Sequence, residues 1–297
     1  LVFQSDGAEA DAGWSGQALS FPRVQGADVC GNVVAVGPGV DSSRIGERVL
    51  IEPCIHEANG QVLETPWYFG SECDGAFAEF VTVPAFNVYH LPEHIDDDTA
   101  AVLDPLGNAV HTTLAFDLVG EDVLITGAGP IGLMAAPIAQ RAGARHVVVT
   151  DLNDHRLKVA SELGATRVVN VGRERLADVM SELGMQEGFD VGLEMSGAPA
   201  ALASMITTMN HGGRIALLGL VPDGTAVDWS DVIFKGLTVQ GIYGRKVFDT
   251  WYKAAALLSD GLDISPIIGH RYHVTEFDEA FNAVESGDAA KVLMTWD

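Results

Sequence analysis

Cysteine is scarce in this 297-residue chain, with only Cys30, Cys54 and Cys73. Three thiols cannot build a disulfide framework and suit a reducing compartment. Lysine is nearly as rare: Lys158, Lys235, Lys246, Lys253 and Lys291 complete the set. Against 17 basic side chains stand 41 acidic ones, a formal charge of −24. A field that negative argues against nucleic acid and anionic membrane surfaces as partners. No apolar run approaches the ~20 residues that cross a bilayer. No charged start followed by an apolar stretch marks a secretory leader, so a cytoplasmic location is expected. Low hydrophobicity is also missing: at 47 % hydrophobic, the chain can bury a core despite its charge. The acidic excess fits either salt adaptation or a biased genome.

What is present divides into two patterns, as the length suggests. From Val24 to Val83, short β-branched runs alternate with Gly and Pro breaks, which predicts a small β-barrel-like domain. Strands are expected over 32–36, 48–51 and 77–83. Near residue 98 the pattern changes, with Asp98 and Thr99 expected to cap a helix. Apolar strands then follow at 123–126, 146–150, 168–171, 191–195, 215–218 and 237–242. Helices separate them, including 131–142 and 157–163, and a helix over 248–259 follows the last. Continuous apolar strands between helices predict a parallel sheet covered on both faces, an α/β doubly wound fold.

The first of these strands runs into Gly127-Ala128-Gly129-Pro130-Ile131-Gly132, a G-x-G-x-x-G turn opening a helix. Gly127 permits the tight turn, Gly129 lets a pyrophosphate approach, and Gly132 lets helix and strand close up. The helix start offers amides and a positive dipole end to phosphates. Asp151 ends the next strand, 19 residues after Gly132. An acid there accepts ribose hydroxyls and repels a 2′-phosphate, which favours NAD over NADP. Arg156 lies close enough in sequence to pair with a phosphate. Ligands in such sheets bind beyond the carboxyl ends of the strands, so Ser196, Leu218, Gly219, Ile242 and Tyr243 are expected to border the nicotinamide.

These features together resemble the medium-chain dehydrogenase/reductase superfamily. From about Val83 to Asp297 the chain resembles its L-threonine 3-dehydrogenase family. The resemblance is carried by Asp104-Pro105-Leu106-Gly107-Asn108, Glu194-Met195-Ser196-Gly197 and segments 116–124, 209–216, 232–237, 241–245 and 250–253. Segments 21–31, 45–49 and 69–79 instead resemble zinc-lacking members of the superfamily. The resemblance implies a truncated GroES-like β-barrel domain (1–98), a Rossmann domain (99–245) and a return segment to the first domain (246–297). It also implies a homo-oligomer, dimer or tetramer, joined along the sixth strand.

The zinc-dependent relatives carry a Gly-His-Glu motif where this chain has Gly26-Ala27-Asp28. Their acidic position survives as Asp104. Cys54 and Cys73 are too far apart for the closely spaced ligands of a zinc lobe. Zinc prefers N and S donors, so no tightly held zinc is expected. His56 is then the acid/base candidate, with Asp104 beside it as a catalytic carboxylate. His111 is expected to pack or cap, His90 and His94 to sit at the surface, and Arg245 to position a carboxylate or to serve structure. The implied reaction moves a hydride from a small alcohol or amino-alcohol, threonine first among them, to NAD. Two alternatives stay open. One is a zinc-independent alcohol dehydrogenase or quinone/enone reductase, the other an inactive dinucleotide-binding protein.

Overall fold

The computed structural model describes residues 22–58, 60–287 and 289–296. The chain divides into two compact units, one reaching to Asp104 and rejoined by Trp296, the other running from Pro105 to Thr295.

In the first unit, strands β1 (Cys30–Asn32), β2 (Arg48–Ile51) and β5 (Val88–His90) form an antiparallel sheet in the order β1-β2-β5. Strands β3 (Cys54–Ala58) and β4 (Gln61–Tyr68) form a separate hairpin. Ile51, Ile55, Phe69 and Ala76 make a small core. The strand expected over 32–36 stops at Asn32. Val34 beyond it is 61 % exposed and has no buried face to gain. The strand expected over 77–83 does not form either. The Ala76 and Phe77 amides bond the Gly26 and Gln25 carbonyls in a loop crossing instead. Gly26, Gly70 and Gly75 make that crossing possible: a Cβ on Gly75 would lie 2.3 Å from the Gly26 carbonyl oxygen. Trp296 stacks on Phe77 at 6.4 Å.

The helix cap is Asp96, not Asp98 or Thr99. Its carboxylate accepts the Thr99 amide at 2.8 Å and the Thr99 hydroxyl at 2.9 Å, starting α1 (Asp97–Ala100). Helix α2 (Leu103–Thr113) follows, and the boundary between the units falls at its first turn.

The second unit is an α/β doubly wound sheet. Its strands are β6 (Asp122–Thr126), β7 (His146–Asp151), β8 (Arg167–Asn170), β9 (Phe189–Glu194), β10 (Met209–Leu217) and β11 (Thr238–Gly241). They are all parallel, in the order β11-β10-β9-β6-β7-β8. Helices α3 (Pro130–Arg141), α4 (Asp154–Glu162), α5 (Leu176–Glu182), α6 (Pro199–Thr208) and α7 (Trp229–Phe234) connect them. Every residue of β6 is buried, as a central strand covered on both faces requires. Strand order reverses between β6 and β9, which makes their carboxyl ends the switch point. Pro130 and Pro199 each open a helix, where the missing amide costs nothing.

Helix α8 (Asp249–Ser259) comes next. Strands β12 (Ile268–His273) and β13 (Lys291–Thr295) then pair in parallel around α9 (Phe277–Glu285). Residues 246–295 belong to the second unit. Their apolar residues, such as Trp251, Ile267 and Leu293, are buried there. No helix among the described residues is long and apolar enough to cross a membrane.

Candidate functional site

The glycine turn sits at the carboxyl end of β6. Gly127 has a φ of +92°, and a Cβ on it would lie 2.9 Å from Ser196 Cβ. A Cβ on Gly132 would lie 1.9 Å from the Gly127 carbonyl oxygen. Both positions therefore need glycine. Gly129 differs: it caps α3 without a side-chain bond, and a Cβ there would meet nothing within 4 Å. The helix start thus opens onto free space at the place a pyrophosphate would occupy.

Asp151 ends β7, and its Oδ2 accepts the Ala128 amide at 2.7 Å. Its Oδ1 accepts the Leu152 and Asn153 amides at 2.8 and 2.9 Å. Asn153 caps α4 by accepting the His155 and Arg156 amides, which places Arg156 in the first turn after that acid. The Nε of Arg156 is buried without a hydrogen-bond partner among the described residues. A carboxylate, an orphaned guanidinium nitrogen and an open helix start fit a dinucleotide.

Ser196 is exposed just past β9, Gly219 follows β10, and Tyr243 is 78 % exposed past β11. Ile242 is buried, and its amide bonds the Leu217 carbonyl at 2.9 Å. The Leu218 and Gly219 amides both bond the Glu194 carbonyl at 3.0 Å. Glu194 was not singled out from sequence; its place at a strand end beside Ser196 was the available signal. His111 Nδ1 meets the Gly244 carbonyl at 2.9 Å, so the ring ties α2 to the loop after β11. Arg245 lies over the Trp251 ring at 5.2 Å. Gly107 leaves room for it, since a Cβ there would be 2.9 Å from Arg245 Cδ.

In the first unit, His56 is exposed on β3 with Nε2 3.4 Å from Cys54 Sγ. Asp104 lies in the first turn of α2. His90 and His94 are exposed. Cys30 donates from Sγ to the Asp97 carbonyl at 3.3 Å. Burial, with the Asp97 carboxylate beside it, pushes its thiol up to about 11. Burial also raises the Cys73 thiol. No three His, Cys, Asp or Glu side chains among the described residues are grouped to hold a metal ion.

Residues 3–93 match the alcohol dehydrogenase GroES-like domain, and residues 130–260 match the zinc-binding dehydrogenase family. The chain is 54 % identical to an L-threonine 3-dehydrogenase of Vibrio parahaemolyticus, over 96 % of this chain and 85 % of that one. It is 55 % identical to one of Shewanella woodyi, over 96 % and 86 %. Among solved structures, a 2R,3R-butanediol dehydrogenase from Bacillus subtilis superposes with a TM-score of 0.83 at 25 % identity, covering 94 % of this chain and 82 % of that one. A short chain alcohol dehydrogenase from E. coli complexed with NADH gives 0.84 at 27 % identity, covering 93 % and 85 %.

Proposed function

The chain belongs to the medium-chain dehydrogenase family, and from that premise we propose that it oxidises the β-hydroxyl of L-threonine with NAD, giving 2-amino-3-oxobutanoate. It is an oxidoreductase acting on alcohols, most like L-threonine 3-dehydrogenase. Identity above one half along nearly the whole chain is the observation that carries the substrate. Asp151 carries the choice of NAD, because its charge opposes a 2′-phosphate.

When bound, NAD supplies the hydride acceptor. The chain's own residues do the rest. The turn from Gly127 to Gly132, with Pro130 and Ile131 opening α3, takes the pyrophosphate. Asp151 and Arg156 take the adenosine end. Ser196, Leu218, Gly219, Ile242 and Tyr243 border the ring. The alcohol must lose its hydroxyl proton as its carbon loses a hydride. His56 accepts that proton, and Asp104 is the catalytic carboxylate. No step is routed through zinc in this reading.

A cytoplasmic dimer or tetramer belongs to the same reading. Its support is β11, which lies at the sheet edge with all of its residues exposed. A second reading, a zinc-independent alcohol dehydrogenase or quinone/enone reductase, is favoured by Ala27 and Asp28 where zinc-dependent relatives carry His and Glu.

The test is NADH formation on threonine and simple alcohols, and NADH consumption with quinones, each with and without a chelator. Threonine-dependent NADH that survives the chelator is expected. Loss with chelator and recovery with zinc overturns the metal-free step. Turnover on quinones alone replaces the substrate.

A further inference from the structure

Glu194 closes β9 at the switch point, and its side chain is fully buried. Its Oε1 accepts the Ser196 amide at 3.0 Å, the Gly197 amide at 3.1 Å and the Thr126 hydroxyl at 3.3 Å. The Ser196 hydroxyl donates to the same oxygen at closer range. Oε2 also receives the Gly197 amide, at 3.3 Å. Its main-chain carbonyl takes the Leu218 and Gly219 amides. One residue thereby ties together the ends of β6, β9 and β10.

The glycines around it confirm how closely this knot is drawn. A Cβ on Gly219 would lie 2.3 Å from Glu194 Oε2. Gly197, at φ +67°, faces the Leu220 carbonyl, which a Cβ would approach to 2.5 Å. Ser196, held by Glu194, is the residue against which Gly127 of the glycine turn closes. These donors are amides and hydroxyls, so they fix the carboxylate in place without cancelling its charge.

A dinucleotide in such a sheet crosses at this switch point. The oxidised nicotinamide ring carries a positive charge that the reduced ring lacks. A carboxylate fixed in a low-dielectric interior acts on that difference. We propose that Glu194 is a positioning residue that holds the ridge from Ser196 to Gly219 and, through its charge, favours the oxidised cofactor over the reduced one. This rests on the dinucleotide reading above.

The test is separate titration of NAD and NADH into the wild-type chain, Glu194→Gln and Glu194→Asp, by calorimetry and cofactor fluorescence. Gln keeps the size and drops the charge, and the NAD Kd is expected to rise relative to the NADH Kd by roughly fivefold or more. Asp keeps the charge with a shorter reach, so both Kd values should rise with their ratio preserved. A folded Glu194→Gln chain with an unchanged ratio overturns the charge role. If Glu194→Gln does not fold, the Asp variant tests the positioning role: Kd values that both rise support it, and wild-type Kd values for both forms overturn it. A wild-type chain that binds neither form overturns the dinucleotide reading itself, an outcome distinct from the others.

Discussion

Asp151 accepts the Ala128 amide at 2.7 Å, so the acid at the end of β7 and the glycine turn at the end of β6 form one piece. The same carboxylate takes two further amides. A carboxylate offers about four acceptor positions, which leaves one for a ribose hydroxyl. Asp151→Asn turns one acceptor into a donor and removes the charge. Losing a charge-assisted hydrogen bond costs about 1.5–3 kcal/mol, so the KM for NAD should rise about tenfold or more. NADP should gain in relative use, since the repulsion of its 2′-phosphate is gone. Steady-state kinetics with both cofactors check this, and an unchanged preference would show that another residue selects.

Two glycines of the turn should fail in different ways. Gly132→Ala places a Cβ 1.9 Å from the Gly127 carbonyl oxygen. Backbone cannot yield as a flexible side chain can, so the fold should lose about 1–3 kcal/mol or more. Gly129 has an ordinary φ of −70° and open space around it. Gly129→Ala should therefore melt like the wild type yet bind the dinucleotide more weakly. Urea denaturation and cofactor titration separate the two. Equal loss of stability in both variants would mean that the space at Gly129 serves folding.

The Rossmann half was legible because two independent signals agreed there. Apolar runs such as 123–126 and 147–149 are buried on both faces and have no polar alternation to confuse them. The glycine turn and Asp151 sit at fixed offsets from those strands. The front unit was harder to read. Its hairpin of β3 and β4 is largely exposed, and Pro66 lies within the longer strand. Periodicity therefore had little burial to report. The run over 77–83 reads as strand, yet the Phe77 amide is taken by the Gln25 carbonyl in the glycine crossing. The pair of β12 and β13 left little trace in the sequence, since the run from Ile268 to His273 is mostly polar and exposed and carries no apolar alternation.

Kinetics can test His56 and Asp104 apart from cofactor binding. Both lie outside the residues that form the glycine turn. Removing a general acid or base costs about 10²–10⁴ in rate. His56→Gln and Asp104→Asn should each lower kcat on that scale while the NAD Kd stays near wild type. Cys54→Ala removes the thiol 3.4 Å from the His56 ring without removing the imidazole, and should leave most of the rate. A His56→Gln chain with wild-type kcat would move the proton step elsewhere.

Asp122 opens β6 at the opposite end of the sheet from the glycine turn, and it governs stability rather than chemistry. It is buried, and its Oδ1 accepts Arg145 Nε and His146 Nδ1, both at 2.8 Å. Oδ2 pairs with the other arm of Arg145. Burial pushes its carboxyl up, but the bonds and charges of Arg145 and His146 outweigh that and hold it below the usual value. A carboxyl lowered on folding stabilises the fold at pH values above its unfolded pKa of about 3.9. That contribution disappears as pH falls through the lower, folded value. Arg145 is half exposed, so solvent weakens the pair, and Asp122→Asn should cost about 1–3 kcal/mol near neutral pH. Below the folded value both chains carry a neutral side chain here, so the gap should close. Denaturation midpoints followed from pH 7 downward check the sign. A gap that persists unchanged into strong acid would assign the loss to packing and not to charge.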